Sequence, residues 1–246
     1  MFIDVHCHLD MISDIGAVMG RARKAGVALA ITQGTNVESN NSALEISKKF
    51  SEVLAALGLY PINAIRLSEQ EIASIVNSIR THRKRIVAIG EVGLDLKETQ
   101  ELEKQARVFA KMIELALEMD KPIIVHSRKA EKECIEMLEQ AGVKKVIMHC
   151  FNGKLSLAKR IVDNGWFLSI PTSVKNSEHF QKIIEQMPIE QLLCETDSPY
   201  LHPDKLYPNE PANVVVSYEM IAKIRGLKLK DVEKQIEENY NGLFDR

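Results

Sequence analysis

Two histidines spaced by one residue, His6 and His8, stand directly behind the apolar run Phe2-Ile3-Asp4-Val5. Side chains two apart on a β-strand share a face. Ile3, Val5 and Cys7 then cover one side, and Asp4, His6 and His8 the other. Imidazoles ending a strand with an apolar outer face suit a metal held in the mouth of a barrel; the alternative is a plain strand end with solvated histidines. The pattern recurs. Ile86 to Glu91 is an apolar run ending in a carboxylate, Pro122 to His126 and Val146 to His149 end in histidines, and Leu192 to Asp197 ends in acids. Five such runs in one chain point to a site assembled from strand ends.

Four imidazoles and two carboxylates exceed what one catalytic ion takes, about three protein ligands plus a water. They suit two divalent ions, with His6, His8 and Asp197 on one, His126 and His149 on the other, and Glu91 bridging both. Ions about 3.5–4 Å apart lower the pKa of a shared hydroxide and clamp the attacking and leaving oxygens of a displacement. Asp197, coordinated yet close to that hydroxide, is the expected proton acceptor. The nitrogen–oxygen ligand set favours zinc, manganese, cobalt or iron, with magnesium also admitted, over calcium.

Around this set, Arg128 could fork two phosphate oxygens, a surface salt bridge being the alternative. Glu195 and Asp4 lie one layer deeper by parity and would either orient a ligand histidine or pair with a buried cation. Asn152, Ser198 and Asn209 on upper loops, and His202 after the last run, are candidate substrate contacts, although loop asparagine also serves turns. His179 is expected to face solvent, and Cys7, Cys150 and Cys194 to point away from the site by strand parity.

Groups so scattered need a repeating architecture to gather them. Candidate strands lie near 2–6, 27–32, 53–58, 86–91, 122–126, 145–149, 166–170 and 191–196. Between them, helical spacing is clearest over 98–119, where Leu102, Ala106, Phe109, Ile113 and Ala116 form one stripe. The stretches 129–141, 176–187, 212–225 and 229–240 repeat it, and Gly26, Gly142, Gly165 and Gly226 stand where helices would exit. Repeated strand-then-helix units predict a parallel sheet. Eight of them predict a (β/α)8 TIM barrel with an extra C-terminal helix, occupying 1–246 as one domain. All strand C-termini then share one face, and closure makes the first and eighth strands neighbours. An open doubly wound sheet would spread the same ends along an edge.

The 246 residues carry a net charge of −2, which excludes a general polycation and makes any nucleic-acid contact local. No apolar stretch approaches the roughly 20 residues of a membrane span. A strand at the very start leaves no place for a secretory leader, and four cysteines without a CxxC pair read as reduced thiols of a cytoplasmic protein. The basic run Arg80 to Arg85 falls between a helix end and a strand start, on the face opposite the site, where cations complement a helix C-terminus.

Together the motifs DVHCHL (4–9), GEVGLD (90–95), HSR (126–128), HCFNG (149–153) and ETDSPYL (195–201) resemble the TatD-type metal-dependent deoxyribonucleases of the amidohydrolase superfamily. Asn209-Glu210-Pro211 and the closing segment from Asn239 to Phe244 continue the resemblance. It implies a TIM barrel, a two-metal site on the residues above, and hydrolysis of DNA from a free 3′ end. One departure stands out. The family's Gly-x-His-Pro stretch reads Gly58-Leu59-Tyr60-Pro61 here, placing a tyrosine where a histidine assists substrate binding or proton transfer. Tyr60 can still donate a hydrogen bond, but a phenol of pKa about 10 is a poor shuttle at neutral pH.

The first expectation is therefore a nuclease of the 3′–5′ exonuclease type, acting on single-stranded or frayed DNA ends, with no membrane and no obligate protein partner. A metal-dependent esterase, amidase or deacylase on a small molecule or aminoacyl adduct is the alternative. A non-catalytic binding barrel ranks behind, because no ligand is missing.

Overall fold

A computed structural model describes residues 1–244. Eight strands, β1 (Phe2–Cys7), β2 (Val27–Gln33), β3 (Val53–Leu57), β4 (Ile86–Gly93), β5 (Ile123–His126), β6 (Val146–Met148), β7 (Phe167–Pro171) and β8 (Leu192–Glu195), form one parallel sheet in sequential order. The helices are α1 (Ile15–Lys24), α2 (Val37–Lys49), α3 (Pro61–Ala64), α4 (Glu69–Thr81), α5 (Leu102–Met119), α6 (Glu131–Ala141), α7 (Leu155–Asp163), α8 (Glu178–Gln186), α9 (Val215–Arg225) and α10 (Leu229–Phe244). This is the (β/α)8 barrel that the alternation predicts, with α10 as the added helix.

The strands are buried on both faces, which is why they read as near-continuous apolar runs. Closure between β8 and β1 is made by hydrogen bonds at their ends, Asp197 N–H to His6 O at 2.9 Å and His8 N–H to Ser198 O at 2.7 Å. Below these, the Asp4 carboxylate accepts from Thr196 N–H (2.9 Å) and Thr196 Oγ1–H (2.6 Å), so a side chain spans the seam. Tyr218 on α9 accepts from Ile3 N–H and donates to Ile3 O, fixing β1 from outside. Asn239 on α10 donates to Ile189 O and Leu192 O at 2.7 Å, pinning the start of β8.

Helix ends follow local chemistry. Asn36 and Ser68 cap α2 and α4 in reciprocal capping boxes. The four exit glycines all have the positive φ that such positions demand. Arg80, in the last turn of α4, pairs with Glu118, and the basic run ends where β4 begins, on the face away from the strand C-termini. Helix α5 starts at Leu102 rather than near 98, because Asp95 Oδ1 accepts Lys97 and Glu98 N–H groups and holds that stretch as a turn. No described helix is long and apolar enough to cross a membrane.

Candidate metal centre

Every proposed ligand lies at the strand C-termini. His6 and His8 come from the end of β1, Glu91 from β4 and His126 from the last residue of β5. His149 and Asp197 lie just past β6 and β8. Asp197 adopts φ 53°, a left-handed conformation that aspartate tolerates better than most residues. Two glycines let neighbouring strands close on this region. A Cβ on Gly58 would stand 2.5 Å from Glu91 O, and one on Gly93, at φ 138°, would stand 1.9 Å from His126 O.

The donor atoms form two groups that share Glu91. In the first, His6 Nε2 and His8 Nε2 are 3.2 Å apart. Glu91 Oε2 lies 3.6 and 3.4 Å from them, and Asp197 Oδ1 lies 3.5 and 3.6 Å away. A tetrahedral ion with ligands at about 2.0–2.1 Å requires edges of about 3.3–3.4 Å between donors. The observed spacings bracket that value. In the second group, Glu91 Oε1 lies 3.0 Å from His126 Nδ1 and 3.3 Å from His149 Nε2. The carboxylate thus directs one oxygen to each group. The His6 and His149 rings stack with centroids 3.8 Å apart, bringing the two groups side by side.

Further groups hold the imidazoles from behind. His126 Nε2 donates to Asp95 Oδ2 at 2.9 Å, leaving Nδ1 to face Glu91. Tyr60 donates to the same Asp95 oxygen at 3.0 Å, and its oxygen is 3.2 Å from His126 Nε2. Asp95 is itself pinned by buried Gln105, which accepts from its N–H and donates to its carbonyl. Neither the support Asp95 gives His126 nor the part of Gln105 is among the sequence expectations; the cue is Leu94-Asp95 directly after a ligand-bearing strand. Glu195 stands 3.4 Å from His149 Nδ1, its other oxygen accepting from Ser169.

The electrostatics favour added positive charge. Burial pushes Glu91 and Asp197 toward the neutral form, but the surrounding imidazoles outweigh it and hold both carboxyls below their usual range, Glu91 well below. Burial likewise opposes charge on His8, His126 and His149, yet Asp197 and Glu91 at His8, Asp95 and Glu91 at His126, and Glu195 and Glu91 at His149 raise all three. His6, buried and facing His149, is lowered. Ring nitrogens and carboxylate oxygens converging this closely fit a bound divalent cation.

Above them opens a cavity of about 730 Å³, within the range of small-molecule sites. Tyr60, Arg128 and Asn152 line it, as the sequence reading expects of substrate contacts. Three other candidates do not reach it. Ser198 is fully buried and bonded to Thr196. Asn209 is fully buried, donating to Thr172 Oγ1 and Thr196 O, because the loop after β8 folds over it. His202 turns aside, its Nδ1 accepting from Asp204 N–H. Asp4 meets no cation and touches His6 through its backbone N–H, with burial lifting its carboxyl to about 8. Cys150 corrects the parity argument. Strand β6 stops at Met148 and Cys150 has φ 43°, so Cys150 lines the cavity. His179 is half-buried against Phe151 O rather than solvated.

A family model described as TatD related DNase matches residues 3–245. The human deoxyribonuclease TATDN3 is 32% identical over 259 residues, covering 99% of this chain and 94% of that protein. A metal-dependent hydrolase from Methanocaldococcus jannaschii is 35% identical over 248 residues, covering 100% and 97%. Among solved structures, the TatD homologue YjjV of Escherichia coli superposes with a TM-score of 0.92 at 27% identity, covering 100% of this chain and 98% of that one.

Proposed function

The chain belongs to the TatD-related DNase family of metal-dependent hydrolases, and on that footing we propose that it cleaves phosphodiester bonds of DNA from a 3′ end with two divalent ions. The observation that carries the two-ion reading is Glu91, whose oxygens serve different donor groups at 3.0–3.6 Å. His6, His8 and Asp197 would hold one ion and His126 and His149 the other, with one Glu91 oxygen available to each group. Bound ions supply Lewis acidity and a water of lowered pKa.

The remaining work falls to the chain. Asp197 is the proton acceptor, its side chain 15% exposed toward the cavity while Glu91 is 4% exposed and enclosed by imidazoles. Arg128 is half-exposed at the rim, and its pairing with Glu98 at 3.4 Å is a weak surface contact that a phosphate can replace. Tyr60 is held as a hydrogen-bond donor, since burial and the charges of Glu91 and Asp95 push its hydroxyl far above the ordinary phenol range. It therefore supports His126 and Asp95 rather than shuttling protons.

The test is a metal-reconstituted assay of 3′-ended single-stranded DNA, duplex DNA and RNA against a panel of esters and amides, with chelator controls. DNA cleavage that chelation abolishes is expected; preferential turnover of an ester or amide would overturn the nuclease reading. In parallel, Glu91→Gln should lower bound metal from two ions per chain toward one, and an unchanged count would remove the bridge.

A further inference from the structure

The cavity has two unlike walls. The loop after β5 supplies Arg128 and Lys129, whereas loops after β1 and β8 supply Met11, Tyr200 and Leu201. In a closed cylinder of eight sequential strands, β5 lies across the axis from β1 and β8, so these walls face each other over the candidate ligands.

The β5 wall is not a simple basic patch. Arg128 pairs with Glu98, and Glu131 on the same wall accepts from Lys129 N–H. Cations and acids balance there, and charge alone gives little selectivity.

The opposite wall is apolar and uncovered. Tyr200 is 46% exposed and Met11 50%, and the Tyr200 hydroxyl reaches the Met11 sulfur at 4.0 Å. Farther along the loop, Leu206 and Tyr207 are 65% and 68% exposed, with Tyr207 within electrostatic range of Tyr200. Of the eight large hydrophobic side chains exposed among the described residues, these four belong to the β1 and β8 loops, so the exposure is clustered.

The frame beneath them is tied down. Asn209 N–H donates to Pro199 O, Thr172 donates to Leu201 O, and Asn176 donates to Pro203 O. Fixed aromatic rings with one free face are what base stacking requires.

We propose that Tyr200, backed by Met11, and Tyr207 form a stacking platform for unpaired nucleobases next to the scissile phosphate, with the strand's phosphates turned toward Arg128 and Lys129. The platform rests on the deoxyribonuclease reading and makes it more specific. A base inside a duplex has both faces covered by its neighbours and cannot offer one to Tyr200, so the platform selects single-stranded or splayed ends without reading sequence.

The test uses the metal-loaded full chain and 3′-ended single-stranded oligonucleotides whose terminal linkage is a cleavage-resistant phosphorothioate. One version carries 2-aminopurine in the last two positions; the other is abasic there. Loss of the bases should weaken binding to the unaltered protein by about 5- to 100-fold, the usual range for aromatic–base stacking. In Tyr200→Ala and Tyr207→Ala that penalty should shrink and 2-aminopurine quenching should fall, with metal content unchanged. Tyr200→Phe and Tyr207→Phe should retain both. If base removal costs the alanine variants as much as the unaltered protein, the platform is wrong while the nuclease reading stands. If the unaltered protein neither binds nor cleaves any oligonucleotide, the nuclease reading fails and the platform falls with it.

Discussion

Glu91 is enclosed by four imidazoles at 3.0–3.6 Å, those of His6, His8, His126 and His149, so its charge is fixed by neighbours rather than by water. Asp197 is the more open of the two carboxylates, which supports giving it the proton-acceptor role. Replacing Asp197 by Asn keeps a donor oxygen but removes the proton acceptor. Turnover should fall by at least about 100-fold with bound metal largely retained; near-normal turnover would refute the role. Asp95 acts through His126. It accepts from Nε2 and so leaves Nδ1 facing Glu91, where the proposed second ion would sit. In Asp95→Asn that tautomer is no longer enforced, and affinity for the second ion should drop about 10- to 100-fold. Titration of metal-free protein measures this without reference to activity, and unchanged affinity would exclude the positioning role. The tyrosine at position 60 follows the same logic, a donor completing a buried pair rather than a titrating group.

At the scale of elements, strand ends need room to approach one another, and Gly93 provides it between β4 and β5. Any side chain there collides with His126 O and must also adopt φ 138°. Gly93→Ala should cost more than about 3 kcal/mol, the upper end for backbone strain alone, and should reduce bound metal by shifting His126. Gly142 is the control. It too has positive φ, but an added Cβ meets nothing within 4 Å, so Gly142→Ala should cost only about 1–2 kcal/mol of left-handed strain. Urea unfolding of both variants compares them, and equal losses would show that crowding against His126 is unimportant. Parity along β1 put His6 and His8 on one side, and the structure brings their Nε2 atoms together because His6 lies within the strand and His8 directly follows it. Parity failed for Cys150, where the chain leaves β6 early and turns left-handed. Ser198 and Asn209 misled for a related reason: a proline-rich loop resembles a rim but folds inward on its own hydrogen bonds.

For the whole molecule, the donor groups of β1, β4, β5 and the turns after β6 and β8 meet at one region, so ions bound as proposed would act as a clasp on the barrel. An ion at about 100 times its Kd adds about 2.7 kcal/mol to stability. For a chain of this size that corresponds to about 5–10 °C in Tm. Chelation should lower Tm by that amount per ion and readdition should restore it; an unchanged Tm would mean that no ion links the strands. Much of the architecture was legible beforehand, since strands buried on both faces must be apolar and helices covering them must carry a stripe. The imidazoles and carboxylates that end the strands were legible too, because period-two alternation survives wherever a strand is regular. What only the tertiary structure decided are the relations between separate strand ends. These are the division of Glu91 between two donor groups, the Asp95 and Tyr60 support behind His126, and the apolar wall facing Arg128. Such relations depend on barrel closure and on loop hydrogen bonds between residues far apart in the chain, and no local spacing encodes a distance across a cylinder.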